Sequence, residues 1–231
     1  CMVLFCLSFS VSAQGADTGK YTAAECLRAQ SESYRGDIPA VYAKVDAYQE
    51  SKSAWETDFP DDYKSWEITL TRIDYAQIPF FAAYEKGGSL QGALSKDYHY
   101  NFKLTKDGTD LWGWAGMGND TPNFGTSAEF PEQFLNLKTI TDKIDSQIGK
   151  VNSISFVDVW LETMANALFV SVKTDQNNYI IPYNFDPSYC HLEVGKVYPE
   201  ERAMKILTTF LADNPHPGYD DNGEKVFGSA G

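Results

Sequence analysis

The sequence predicts an α+β protein: antiparallel β-sheet(s) with helices packed on one face. Three observations carry this. "SWEITLTRIDY" and "YHYNFKLTKDGTDLWGWA" alternate apolar and polar residues with the period of a half-buried strand. Apolar stripes at helical spacing precede and follow such strands. Helices, strands, helix, strands, helix then follow in blocks and not in strict alternation, which is α+β order. The same order allows two helix-plus-strands units.

Residues 1–13 come first. An apolar run from Met2 to Phe9 gives way to small residues, and Val11 and Ala13 suit a signal-peptidase site cutting before Gln14. Because a basic n-region is missing, the stretch is expected to be a signal-peptide remnant. From Thr22 to about Trp55 the pattern is helical. Ala24, Leu27 and Ala29 mark a first helix, and Gly36-Asp37 interrupts it. Asp37 is placed to cap a second helix with Pro39 in its first turn and Val41, Val45 and Tyr48 on one face. In the first strand Trp66, Ile68, Leu70 and Arg72 share one side. "IPFFAAYEKGGSLQGALS" is readable as strand or helix.

The hairpin is the most specific element. Asp107-Gly108 is a preferred pair for a two-residue type I′ turn. That turn opposes Leu104 to Leu111, Lys103 to Trp112, Phe102 to Gly113 and Asn101 to Trp114. Opposed residues share a face of the sheet. Trp112 and Trp114 therefore fall with His99, Asn101 and Lys103, away from the stripe of Tyr98, Tyr100, Phe102 and Leu104. A bulged three-residue loop would reverse the faces. The tryptophans are then either a second core layer or an exposed aromatic ledge whose polar neighbours orient a ligand.

A long glycine-rich polar loop follows. Beyond it lies a helix with Pro131 near its start, an apolar stripe of Leu137, Ile140, Ile144 and Ile148, and Gly149 at its end. Three strands come next, with Trp160 expected in the core. Pro182 cannot donate to a ladder, which predicts an edge strand. A closing helix opens after Pro199, with Ala203, Ile206, Leu207, Phe210 and Leu211 buried. The division read from this is 14–120 for the first helices and strands, 121–213 for the second set, able to form one domain with it, and a polar tail over 214–231.

Composition limits the function. The 231 residues are 43% hydrophobic and 22% charged, a globular balance, and the formal charge of −13 disfavours nucleic acid and anionic lipid as partners. No apolar run is long enough to span a bilayer. Export would leave Cys26 and Cys190, which could then pair as a disulfide or remain buried thiols. Chemistry is thinly signalled. His99, His191 and His216 lack metal-ligand spacing, and "GYDDNGE" fails as a calcium loop because Gly218 and Ser229 fall at its acidic positions. Cys190 and His191 are adjacent and point apart in an extended chain. No nucleotide or nucleophile-elbow motif occurs, and no cofactor is expected. Asn119-Asp120-Thr121 is a glycosylation sequon, of meaning only in a eukaryote.

"ALFVSVKTDQNNYIIPYN" followed by "LEVGKVYPEERAMKIL" resembles uncharacterised exported proteins of Gram-positive, Clostridia-like bacteria. The helix-plus-three-strands layout is also similar to cystatin-like and PepSY-like domains. The first resemblance implies a secreted or cell-surface protein, with "DNPHPGYDDNGEKVFGSAG" leading toward an anchor. The reading reached is an exported, non-enzymatic protein that binds a protein or peptide partner, at the tryptophan ledge or by strand addition near Pro182. The alternatives are a carbohydrate or cell-wall module using Trp112 and Trp114, and a secreted hydrolase with an unidentified carboxylate pair.

Overall fold

Alternation along the strands decides where every helix lies. The computed structural model describes residues 19–51, 59–117, 124–126, 136–161, 165–184 and 191–213. The leader, most of the glycine-rich loop, Trp55, Pro131, Cys190 and the tail from 214, including His216, lie outside the described residues.

Two helices open the chain, α1 (Ala23–Ser33) and α2 (Ile38–Ser51). Thr22 caps α1 through a capping box with Glu25, satisfying two otherwise unpaired donors. Strand β1 (Glu67–Ala76) is followed by α3 (Phe80–Gly87), which ends at Gly88 in the left-handed conformation that glycine adopts freely. The ambiguous stretch is thus helical at its start. Next come β2 (Leu94–Lys106), β3 (Thr109–Gly116), β4 (Phe124–Thr126) and α4 (Leu137–Gln147). Then come β5 (Ser153–Leu161), β6 (Ala165–Lys173), β7 (Asn178–Asn184), β8 (Tyr198–Pro199) and α5 (Glu200–Asp213).

The strands form one eight-stranded sheet, ordered β4-β3-β2-β1-β5-β6-β7-β8. Each half is an antiparallel meander, and the halves meet through a short parallel pairing of Ile73–Tyr75 in β1 with Phe156–Asp158 in β5. The α+β class and the mainly antiparallel sheet agree with the sequence reading. Pro182 is not on an outermost strand. β8 pairs with β7 at Tyr179 and Ile180, and Gly195 N–H donates to the Pro182 carbonyl at 2.6 Å.

The helices occupy both faces, not one. On one face, α1 and α4 bury Ala23, Cys26, Ile140 and Ile144 against Ile73, Ile154, Phe156 and Val170. On the other, α3 and α5 bury Phe80, Ala203, Met204 and Leu207 against Val157, Val159 and Phe169, while α2 places Val41 and Val45 on Leu70, Tyr100, Phe102 and Leu104. In α1 the buried residues are Ala23 and Cys26, whereas Ala24 and Ala29 are exposed. Asp37 lies in a 3-10 turn, where its carboxylate accepts the Tyr100 hydroxyl. Trp160, expected in the core, is only partly buried and belongs to none of the core clusters.

Gly113 explains the spacing of the two tryptophans. It faces Phe102 directly, and a Cβ there would come within 2.4 Å of the buried Phe102 ring. A side chain at this position is therefore excluded. Gly113→Ala should destabilise the protein by about 1–3 kcal/mol. Gly36→Ala, where an added Cβ meets nothing within 4 Å, should be neutral or mildly stabilising. Urea denaturation of both variants checks this.

Candidate functional site

The turn Asp107-Gly108 has positive φ at both residues, 51° and 79°, as type I′ requires. The register follows: Lys103 opposes Trp112, Phe102 opposes Gly113, and Asn101 opposes Trp114. β1 adds Thr69 beside Lys103, Thr71 beside Asn101 and Ile73 beside His99. All five residues singled out in the sequence, Trp112, Trp114, His99, Asn101 and Lys103, thus share one face of the sheet. It is the α1/α4 face, where those helices cover β5–β7 and reach β1 at Ile73. Trp112 and Trp114 are partly buried and belong to none of the three core clusters.

The side chains form a continuous row. The Lys103 ammonium sits 5.5 Å from the Trp112 ring centre and pairs with Asp110 at 3.4 Å. Asp110 accepts from Thr105 Oγ1 at 2.7 Å, and that bond, then Lys103, holds its pKa down. His99 meets Trp114 edge-on with ring centres 6.0 Å apart, and on its other side lies 5.2 Å from Tyr75. Tyr75 in turn pairs with Asp158 across the β1–β5 junction. The row therefore runs over four strands: Asp158, Tyr75, His99 and Trp114.

Tyr75 and Asp158 were not singled out from the sequence. Extending the β1 alternation by one step finds Tyr75. Nothing local to Asp158 shows that its strand lies beside β1.

The two titratable groups of this row are both desolvated. Burial pushes the Asp158 carboxyl up to about 6, and burial pushes His99 down to about 4 against the opposing effect of Asn101. His99 Nδ1 is buried without a hydrogen-bond partner among the described residues. At neutral pH the row thus presents an uncharged imidazole, a phenol and two indoles, flanked by a lysine and carboxylates. That arrangement suits stacking and hydrogen bonding more than bond cleavage, because Asp158 and His99 are separated by Tyr75.

The cysteine pair reads differently. Cys26 is a free thiol on the buried side of α1, and burial raises its pKa, which makes it a poor nucleophile. Its expected partner Cys190 lies outside the described residues, and His191 beside it meets Phe210 with ring centres 4.9 Å apart. No known protein family, curated protein or solved structure matches the chain.

The opposed shifts give a pH signature. Asp158 binds its proton more tightly when folded, so its contribution falls as pH rises from about 3.8 to about 6. His99 binds its proton less tightly when folded, so its contribution falls as pH drops from about 6.5 to about 4. The two oppose each other over the same window, each of order 3 kcal/mol. Melting temperature should therefore be flatter with pH between 4 and 6 in the native chain than in either variant. Asp158→Asn should make it rise with pH, and His99→Gln should make it fall. Thermal denaturation across that range checks all three.

Proposed function

We propose that this chain is an exported, non-enzymatic binding protein that holds a neutral glycan on the Trp112–Trp114 face. One observation carries the reading: both tryptophans project from the stretch of sheet that the described helices leave uncovered, beside Asn101, Lys103 and Asp110. Indole faces stack on sugar rings, and the adjacent amide, ammonium and carboxylate fix hydroxyl orientation. The formal charge of −13 favours a neutral polysaccharide over an anionic one.

Strand addition near Pro182 has less support, since Gly195 and β8 occupy that edge. The opposite edge strand, β4, is only three residues long, and short edges limit pairing with another chain. A protein or peptide partner on the aromatic face is the second reading, favoured by the same partly buried indoles. A surface or extracellular location fits either.

Co-sedimentation with insoluble polysaccharides and purified cell walls tests the proposal. Trp112→Ala and Trp114→Ala should each lower retention about tenfold while the melting curve stays cooperative. Retention that survives the double variant, or no retention by the native chain on any polysaccharide, would overturn the glycan reading.

A further inference from the structure

A second feature lies where the two halves of the sheet part. β1 and β5 are paired only over Ile73–Tyr75 and Phe156–Asp158, although β1 begins at Glu67 and β5 at Ser153. Toward their starts the strands separate around a cavity of about 390 Å³, within the range of ligand pockets. Thr69, Leu70, Thr71 and Arg72 line it in unbroken succession. Successive strand residues point to opposite faces, so a cavity touching all four touches the strand's edge.

The direction of the backbone groups follows from β5. The Ile154 carbonyl accepts from Gln30 Nε2 at 2.7 Å. The even-numbered residues of β5 therefore turn their backbone groups toward α1 and β1. In a parallel ladder, Phe156 paired with Ile73 then bonds the residues on either side of Ile73. Hence the even-numbered residues of β1 face the gap; Leu70 lines the cavity and turns N–H and C=O into it, and Ile68, just outside its lining, turns the same way. On that side neither has a partner among the described residues. α1 closes the far wall with Leu27, Gln30 and Ser31, and Gln30 already occupies the Ile154 carbonyl of the β5 edge.

We propose that this groove, between the open edge of β1 and helix α1, binds an extended peptide that adds to β1 as a strand. A row of main-chain donors and acceptors at strand spacing is complemented by another extended main chain, which is the physical basis of strand addition. Leu27, Leu137 and Phe156 line the side toward α4. The bound peptide therefore carries apolar side chains at alternate positions. Neither tryptophan lines the groove, although Thr69 and Thr71 also flank Lys103 and Asn101 on the aromatic face, so the tryptophan variants separate this site from the glycan reading.

A random heptapeptide phage library panned on the full chain is the probe. Enriched peptides should have alternating apolar residues and slow hydrogen exchange at the Ile68 and Leu70 amides. Ser31→Trp, which fills the groove from α1, should weaken them about tenfold or more while melting cooperatively. The Trp112→Ala/Trp114→Ala double variant should bind them unchanged. No enrichment, binding that leaves those two amides exchanging as before, or equal affinity for a folded Ser31→Trp chain would overturn the proposal.

Discussion

The parallel pairing of Ile73–Tyr75 with Phe156–Asp158 is the contact on which the rest of the structure depends. It joins two antiparallel meanders into one sheet, and it does so between strands about eighty residues apart. Parallel strands are stable where both faces are covered. Here Ile73 and Phe156 are buried under α1 and α4, and Val157 under α3 and α5. Without that junction each half would expose a strand edge at its centre. Its shortness has a second effect: the strands part beyond it around a cavity walled by α1, whose Gln30 bonds the Ile154 carbonyl.

The two halves are covered unequally. Strands β5 to β7 are buried on both faces, as their near-continuous apolar runs require. Strands β1 to β3 are buried under α2 on one face and carry Thr, Asn, Lys and Trp on the other. Desolvation is most evident where the halves meet. Asp158 and His99 stand on either side of Tyr75, and burial drives both toward their neutral forms. At neutral pH His99 is uncharged, while Asp158, pushed up to about 6, is still largely ionised.

Much of this was legible locally. The Asp107-Gly108 turn sets the hairpin register, and the register sets the shared face of Trp112, Trp114, His99, Asn101 and Lys103. The stripe of α4 and the strands of the second half could be read from period alone. The α1 face could not: Ala24, Leu27 and Ala29 marked the helix, but the residues it buries are Ala23 and Cys26. Pro182 was read as an edge marker because it lacks an N–H, but two residues of β8 and the Gly195 amide still fit beside β7.

By itself, then, the sequence determined period, turn type and hairpin register, since these depend on neighbours along the chain and on alternation within a strand. Only the tertiary structure decided which strands meet at the centre, that helices lie on both faces, and that Tyr75 and Asp158 complete the row begun by the tryptophans. The physical reason is that these rest on one parallel contact between distant segments. Its partners are selected by burial on both faces and leave no local mark in the chain.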